Sequence, residues 1–398
     1  MILRLMPLNN FWYIGSMRLL FVADGRSPIA RNWIRHFAEP GAQVFLASTF
    51  PCTPDLPLAG LEIVPVAYSG RAPYVPQAPG NSRAIGLRSA IRHWLGPLTI
   101  PRAAGRLRSI TQQFKPELVH ALRIPYEGML AAEAYAGVPL VVSVWGNDFT
   151  LHAPANGLMR HYTSWTMEVA DGLHADCQRD IRLGRQWGFE PRRPTLVAPG
   201  NGGVRTDLFH PAAAPEKKAV ILNARGFRTY VRNDTFFKAI PLVLARRPDA
   251  EFRCVGMAED PQAIKWVRQL SIAGNVRLLP VFSHAEMAAI FRGAQLAVSL
   301  GTHDGTPNTL LETMACGCFP IAADLESIRE WIQPGKNGLL VDANDPGSVA
   351  DAILEALEKK DLRQQAAGLN QDIILQRAEY ERCMLKAEQF YRRVLSAT

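Results

Sequence analysis

No stretch of this 398-residue sequence is apolar for long enough to cross a lipid bilayer. Arg4 and Pro7 interrupt the apolar opening segment, and no small-residue cleavage site follows it, so a secretory signal peptide is not predicted either. A clear strand pattern begins only after Met17. We therefore interpret residues 1–16 as an extension that precedes the fold.

Cysteine is scarce, with six residues scattered along the chain. Only Cys316 and Cys318 lie close together, and no second group of Cys or His completes a four-ligand zinc site. Scattered thiols are typical of a reduced, cytoplasmic protein. The motifs of the predicted cleft also lack an Asp-x-Asp pair, so we expect neither a bound metal nor a cofactor.

The Gly-x-Gly-x-x-Gly fingerprint of dinucleotide-dependent oxidoreductases is missing from every predicted strand-to-helix turn. The first such turn has the sequence Asp24-Gly-Arg-Ser-Pro28 instead. A dinucleotide oxidoreductase is therefore not expected.

Acidic residues are few in the N-terminal half, where residues 1–200 carry 20 Lys and Arg against 13 Asp and Glu. The basic excess concentrates between residues 83 and 123, a segment that includes Arg88, Arg92, Arg102, Arg106 and Arg108. Few aromatic residues interleave with these charges, and no nucleic-acid motif accompanies them, so nucleic-acid binding is not expected. Two interpretations stay open: a solvated basic face, and a patch that docks on the anionic inner face of a membrane.

Short apolar runs alternate with helical patterns along the whole chain, which is typical of parallel sheets with crossover helices. Strands are predicted at 19–23, 44–47, 62–66, 118–121, 140–144, 172–175 and 195–198 in the first half, and at 219–224, 251–255, 276–279, 296–299, 319–322 and 338–341 in the second. A chain of this length is expected to form two domains. The sequence thus predicts an α/β protein with two Rossmann-like, doubly wound domains that face a cleft.

We place the domain boundaries at breaks in this alternation. Residues 17–205 form the predicted N-terminal domain, residues 206–218 a linker rich in Ala and Pro, and residues 219–375 the C-terminal domain. A long helical pattern closes the sequence. We expect residues 376–398 to cross back and pack on the N-terminal domain.

The most informative segment runs from Ser299 to Gly317. A buried strand leads into a Gly-rich turn, and Pro307 opens a helix whose first amides, those of Asn308, Thr309 and Leu310, are expected to be free. Free amides and the positive end of the helix dipole make an anion pocket, for which a diphosphate is the obvious ligand. Two carboxylates, Asp304 and Glu312, bracket this pocket and suit neutral sugar hydroxyls as partners.

This carboxylate-x7-Glu pattern, followed by Met-Ala-x-Gly, resembles the donor signature of GT-B glycosyltransferases of family 4. Asn201-Gly202 with Phe209 and Pro211 resembles the inter-domain stretch of the same family. The order of elements agrees with the family along nearly the whole chain from Met17. The resemblance implies a retaining, metal-independent transferase that takes a hexose from a nucleotide sugar, with UDP-glucose or a related UDP-hexose as the expected donor and a glycan or lipid-linked acceptor in polysaccharide or glycolipid synthesis.

The resemblance also implies roles for individual residues. Glu312 is expected to bind the ribose hydroxyls, and Asp304 the transferred hexose. The remaining donor contacts are expected from Gly25, Arg225, Arg228, Arg232, Phe282, Gly305, Thr306, Pro307, Asn308, Thr309 and Leu310. With His120 as a sugar-contacting residue at the end of a strand, the expected catalytic set is Asp304, His120 and Arg225, while Asn147 and Asp148 are expected on the acceptor side.

The sequence departs from the family pattern in three places. Asp304 stands where a Glu is usual, which shortens the reach to the sugar. The Arg-x4-Lys phosphate clamp is replaced by Arg225 and its followers, with Arg228 or Arg232 as the second cation. Arg205 stands where an acid is common. These departures keep two alternatives open: a non-catalytic or hydrolytic nucleotide-sugar-binding protein of this fold, and a nucleotide-sugar epimerase.

Overall fold

The computed structural model describes residues 17–69, 92, 94–212 and 219–398. Within these ranges the chain forms two parallel β-sheets with helices packed on both. The predicted two-domain α/β architecture is confirmed. In the same ranges, no helix combines the length and the apolarity that a bilayer span requires.

The N-terminal sheet has the strand order β3-β2-β1-β4-β5-β6-β7. Its strands are β1 (Arg18–Ala23), β2 (Gln43–Ser48), β3 (Gly60–Ile63), β4 (Leu118–Ala121), β5 (Leu140–Val144), β6 (Gly172–Ala175) and β7 (Thr195–Val197). Its helices are α1 (Pro28–Ala38), α2 (Ile100–Phe114), α3 (Met129–Glu133), α4 (Gly157–Val169) and α5 (Gln178–Gln186). The central strands are buried on both faces, as expected for parallel sheets covered by helices.

The C-terminal sheet has the order β10-β9-β8-β11-β12-β13. Its strands are β8 (Val220–Asn223), β9 (Glu251–Val255), β10 (Val276–Leu279), β11 (Leu296–Ser299), β12 (Phe319–Ala323) and β13 (Leu339–Val341). Its helices are α6 (Asn233–Leu244), α7 (Pro261–Gln269), α8 (His284–Arg292), α9 (Asn308–Ala315), α10 (Pro346–Glu358) and α11 (Lys360–Arg377). Every predicted strand has a counterpart in one of the two sheets.

The third strand lies a little earlier than predicted. It begins at Gly60, where an added Cβ would overlap the ring of Phe45 on the neighbouring strand. The amide of Val64 still donates to the Ser48 carbonyl, but the amide of Val66, the next one to face β2, donates to Ser69 Oγ instead (3.1 Å). The strand therefore ends before the predicted limit at residue 66.

The chain passes between the domains twice, and the two crossings are bonded to each other. The amide of Val204 donates to the Ala378 carbonyl (2.7 Å), and the amide of Tyr380 donates to the Val204 carbonyl (3.0 Å). Gly203 sits between them at φ 114°, where an added Cβ would press on the Ala378 carbonyl. Val204 and Phe209 are already buried in the C-terminal core, so the first crossing precedes the predicted linker.

The last helix, α12 (Tyr380–Ala397), belongs to the core of the N-terminal domain. Its buried face, which includes Met384, Phe390 and Tyr391, packs against Trp33 and Phe37 of α1. The expectation that the chain crosses back to the first domain is confirmed. The helical pattern is interrupted before α12, because Glu379 adopts an extended conformation and caps the amides of the next turn.

A buried polar chain ties α12 to the N-terminal sheet. Trp33 Nε1 donates to the Tyr391 hydroxyl (3.0 Å), which also contacts His120 Nδ1. His120 Nε2 and His174 Nδ1 both lie 2.8 Å from Ser143 Oγ. Burial lowers the pKa of His120 well below its usual range and that of His174 to about 4. Both imidazoles are therefore neutral in the folded protein near pH 7.

We expect this chain of groups to weaken the fold on mild acidification. The unfolded protein takes up protons on both histidines below about pH 6.5, whereas the folded protein does not, so the imidazoles' contribution to the free energy of unfolding is full above that pH and declines as the pH falls toward 4. For His174 the loss should reach on the order of 3 kcal/mol at pH 4. Denaturant unfolding of the parent and of His174→Gln from pH 7 to 4.5 measures it. A stability difference that does not shrink across this range would contradict the prediction.

Candidate active site

The carboxyl ends of both sheets meet in the cleft, and the loop between β11 and α9 lies at its centre. This donor loop comprises residues 300–307. Pro307 has extended backbone angles and precedes the first turn of α9, as predicted. The amide of Leu310, however, donates to the Pro307 carbonyl (2.9 Å), so only those of Asn308 and Thr309 lack a partner among the described residues. Two free amides, rather than the expected three, are thus available at the start of α9, and the binding of an anion there stays a prediction.

Asp304 and Arg225 form a buried ion pair beside this helix start. Arg225 Nη2 lies 2.9 and 3.0 Å from the two carboxylate oxygens of Asp304. Gly301 makes room for the carboxylate, since an added Cβ would overlap Asp304 Oδ2. Burial alone would lower the pKa of Arg225, but Asp304 and Tyr230 raise it above the ordinary value. The pair thus holds the positively charged Arg225 side chain in place at the start of α9.

Glu312 is 7% exposed in α9, and its carboxylate accepts a hydrogen bond from His284, which lies outside the donor motif. His284, the first residue of α8, places Nε2 3.0 Å from Glu312 Oε1 and packs its ring on Phe209. Phe282, half-buried, precedes His284 and packs against the C-terminal core. A Ser283 capping box starts α8 and fixes the direction of this helix. His284 is thus a positioning partner of Glu312.

The two other predicted cations differ in their placement. Arg228 is exposed, and no ion pair holds its side chain within the described residues. Arg232 binds Asp234 through Nε (2.9 Å) and Nη2 (3.0 Å), and its Nη1 contacts Asn344 beyond the edge strand β13. The contact of Arg232 with the donor stays a prediction, although its guanidinium is already paired with Asp234 in this structure. Arg228 stays a candidate.

His120 does not reach the cleft. Its side chain is 1% exposed, and the buried chain that includes Ser143 and Tyr391 occupies both ring nitrogens. It lies in β4 on the face that packs against α1 and α12, below the strand end. The predicted contact of His120 with the sugar is therefore wrong, and the residue stabilises the N-terminal domain.

Asp148 is also committed inside the N-terminal domain. Its side chain accepts from Arg123 Nε (2.9 Å) and from the amides of Trp145 (3.1 Å) and Ile124 (3.3 Å). Burial raises its pKa, although Arg123 opposes the shift. A carboxylate enclosed in this way cannot orient an acceptor hydroxyl, so the prediction for Asp148 is wrong. Asn147 accepts from Arg123 Nη2 (3.0 Å) and also supports that arginine.

Arg123 is the residue that these contacts present to the cleft. Its backbone has φ 134°, a conformation that costs on the order of 1 to 3 kcal/mol for a residue with a side chain. Burial alone would lower the pKa of Arg123, but Asp148 and, across the cleft, Tyr230 favour its charged form. Tyr230 stands five positions after Arg225, where the family pattern has its lysine.

Gly25 lies in a buried turn after β1. Its amide donates to Ser48 Oγ (3.1 Å), and an added Cβ would overlap Cys52 Sγ. Packing against the end of β2 thus already requires glycine here. Its contact with a phosphate stays a prediction.

The domains touch where Gly146 meets the donor loop. An added Cβ on Gly146 would overlap the amide nitrogen of Gly305, and one on Gly305 would overlap the carboxylate of Asp176. Thr306 Oγ1 donates to the Asp176 carbonyl, and Arg179 Nη1 donates to the Asp304 carbonyl (2.8 Å). Sequence reasoning missed Asp176 and Arg179. The available signal was a charged segment, residues 176–180, at the carboxyl end of a buried strand.

Asp176, Cys177 and Asp180 have ligand-type atoms within 4.8 Å of one another, the one such group among the described residues. Asp180 is already paired with Arg179 (2.8 Å), which supplies the charge that a cation would supply. Burial, followed by the charge of Asp180, raises the pKa of Asp176 well above its usual range. A proton on Asp176 is therefore the simpler neutralising partner.

Two buried polar atoms in the pocket have no partner among the described residues: Arg225 Nε and Thr309 Oγ1. Unpaired buried donors are uncommon in native proteins, since each costs about 1 to 3 kcal/mol. Thr309 belongs to the first turn of α9, and Arg225 is paired with Asp304 of the donor loop that precedes it. A bound anion with several acceptor oxygens would satisfy them.

Comparison with known families agrees with this geometry. Residues 24–200 match the family described as glycosyl transferase 4-like domain, and residues 204–368 match glycosyl transferases group 1. Together these matches account for both domains. The chain belongs to the GT-B glycosyltransferases of family 4.

Among relatives of this GT-B glycosyltransferase, D-inositol 3-phosphate glycosyltransferase of Thermobispora bispora is 29% identical over 215 residues, 49% of this chain and 50% of that protein. The match thus spans about half the length of that relative. Phosphatidyl-myo-inositol mannosyltransferase of Mycolicibacterium smegmatis is 26% identical over 78% of this chain and 74% of its own.

Solved structures share the fold at low identity. Sucrose-phosphate synthase from Thermosynechococcus elongatus has a TM-score of 0.76 at 16% identity, covering 96% of this chain and 100% of its own. Anabaena HepE in complex with UDP-glucose has a TM-score of 0.69 at 15% identity, covering 96% of this chain and 100% of its own. These likenesses establish the GT-B architecture alone.

We expect Gly146→Ala to hold the two domains apart. The new methyl group would meet the backbone of Gly305, which cannot move aside as a flexible side chain can. Small-angle X-ray scattering should show a larger radius of gyration than in the parent. Gly105→Ala is the control, because nothing lies within 4 Å of its added Cβ on exposed α2. An unchanged radius in Gly146→Ala would show that this contact does not limit closure.

Proposed function

We propose that this protein transfers a hexosyl group from a nucleotide sugar, with UDP-glucose or a related UDP-hexose as donor, to a glycan or lipid-linked acceptor. One observation carries the proposal: Arg225, with its unpartnered Nε, is paired to Asp304 at the N-terminal end of α9. The site thus offers a cation and free amides to a diphosphate within reach of a carboxylate for hydroxyls.

The residues divide the donor between them. The amides of Asn308 and Thr309, with the Arg225 guanidinium, would hold the diphosphate and offset the charge that develops as it leaves. Glu312, oriented by His284, would bind the ribose hydroxyls. Asp304 would accept from a hexose hydroxyl while it stays paired to Arg225. Phe282 lies near Glu312's partner and would contact the base.

Retention of the anomeric configuration is part of the proposal. Among the described residues, basic side chains hold both carboxylates of the donor motif, Asp304 by Arg225 and Glu312 by His284, so neither is free to act as a nucleophile. The donor's own phosphate would then take the acceptor proton on the same face. Arg225 stabilises that phosphate as the bond to the sugar breaks.

The acceptor side supports an anionic acceptor. Arg92 lies over the rings of Phe50 and Tyr126, with 5.0 and 4.6 Å from the guanidinium carbon to the ring centroids, whereas the neighbouring Arg26 is already paired with Asp24. Arg92 Nε is buried and has no partner among the described residues. The two relatives named above are named for inositol phosphate and phosphatidylinositol. We therefore favour a phosphate-bearing acceptor.

Docking of the N-terminal domain on an anionic membrane also stays a proposal, although fewer arginines are available for it than the sequence predicted. Arg88 lies outside the described residues, and Arg92 is directed at Phe50 and Tyr126. Arg106 pairs with Glu62, and Arg108 donates to the Glu133 carbonyl. Exposed Arg102 remains, beside an apolar group formed by Trp94, Leu95 and Leu98. Co-sedimentation with anionic and neutral liposomes tests this patch.

We expect Glu312→Gln to weaken UDP binding and Asp304→Asn to act mainly on turnover. Loss of a charged hydrogen bond to a bound hydroxyl costs about 1.5 to 3 kcal/mol, or roughly ten- to a hundredfold in affinity or rate. Calorimetry with UDP and single-turnover assays with UDP-hexoses separate the two effects. Glu326→Gln, at an exposed position, is the control. Parent-like binding and turnover in both variants would remove these carboxylates from the donor site.

We expect the transferase activity to survive chelation by EDTA. In the proposed site, Arg225 and helix amides offset the diphosphate, and no pair of carboxylates is directed at it for a divalent ion. Turnover is measured before and after dialysis against EDTA, with and without added Mg²⁺ or Mn²⁺. Loss on chelation that either ion restores would contradict the expectation.

A further inference from the structure

Arg179 lies outside the donor motif, yet its guanidinium bonds to both domains. The residue follows β6 in the N-terminal domain and is 8% exposed. Its Nη2 donates to the Gly146 carbonyl in its own domain (2.9 Å). Its Nη1 donates across the cleft to the Asp304 carbonyl (2.8 Å) and to Ser327 Oγ (3.2 Å).

The Asp304 carbonyl is thereby fixed from two sides. Ser327 Oγ of the C-terminal domain donates to it at 2.6 Å, and Arg179 donates from the opposite domain. Two residues further along, Thr306 donates to the Asp176 carbonyl and accepts from Trp331 Nε1 (2.9 Å). The residues on both sides of Gly305 are thus bonded to both domains.

The same segment is held in return by the C-terminal domain. The carboxylate of Glu330 accepts from the amides of Gln178 (2.9 Å) and Arg179 (3.0 Å), which are the first free amides of α5. A carboxylate at a helix start is favoured both by the hydrogen bonds and by the helix dipole. This contact holds the start of α5, and with it Arg179, against the C-terminal domain.

We propose that Arg179 is a positioning residue that gives the donor loop its reactive shape when the domains close. It acts through the backbone of Asp304, whose side chain holds Arg225. This inference rests on the proposed function for its kinetic test. The planar fork of arginine can serve the carbonyls of Gly146 and Asp304 together, whereas the single ammonium of lysine cannot reproduce that geometry.

The first test compares Arg179→Gln with Arg182→Gln. Arg182 is one helical turn away and also pairs across the cleft, with Glu326. Both side chains of that pair are about half exposed. Arg179→Gln should lower kcat by about ten- to a hundredfold, the effect of a slightly misplaced reactive group, with UDP affinity close to that of the parent. Arg182→Gln should change kcat by no more than about twofold, since exposed ion pairs contribute little. A merely stabilising residue would alter the melting temperature and leave kcat per folded molecule unchanged.

A double-mutant cycle with Ser327→Ala tests the shared carbonyl. Because Arg179 and Ser327 donate to the same oxygen from different domains, the loss in the double variant should be smaller than the product of the single losses. Ser327→Ala also tests the carbonyl contact if Arg179→Gln does not fold. Arg179→Lys should recover little of the lost kcat.

Scattering provides a readout that does not depend on activity. With UDP present, Arg179→Gln should have a larger radius of gyration than the parent and Arg182→Gln. If the parent turns over no nucleotide sugar, the proposed function fails and the scattering comparison still decides the role of Arg179. Parent-like kcat, full recovery in Arg179→Lys, multiplicative losses in the cycle, or a parent-like radius in Arg179→Gln would each overturn the inference.

Discussion

The backbone of Gly146 lies directly against the backbone of Gly305, and the other features of the cleft depend on this approach. Any side chain at either position would separate the domains. Only at this distance can Arg179 bond to carbonyls on both sides. The donor loop thus owes its shape to two domains, although its sequence motif lies in one. A site of this kind is complete in the closed form and incomplete in the open form.

The architecture could be predicted from the sequence because buried parallel strands are short apolar runs with turn residues at their ends. β4, β5 and β6 have the predicted bounds for this reason, and β3 differs because the amide of Val66 bonds to Ser69 rather than to β2. The donor motif could be located for a related reason. Pro307 and the amides that follow it depend only on neighbouring residues, so the sequence alone is enough to predict them.

The errors at His120 and Asp148 share one cause. Each was placed correctly in a strand or loop, but its side chain is bound to partners that are distant in the sequence or that compete locally. His120 contacts Tyr391, which is 271 positions away. No spacing rule connects such residues. The role of Arg179 could not be predicted either, because its acceptors are backbone carbonyls, which every residue has. His284 and Tyr230 were missed for a similar reason, since each acts on a residue far away in the sequence, Glu312 and Arg123 respectively.

The docking of α12 on the first domain has a consequence for how the protein is made. The core of the N-terminal domain includes Phe390 and Tyr391, so that domain cannot bury its apolar surface until these residues have left the ribosome. The C-terminal sheet and its helices, complete by residue 377, are available earlier. The domain synthesised first is therefore completed last. During translation the unfinished domain exposes Trp33 and Phe37 of α1, which α12 later covers, and chaperones would be expected to act on this surface.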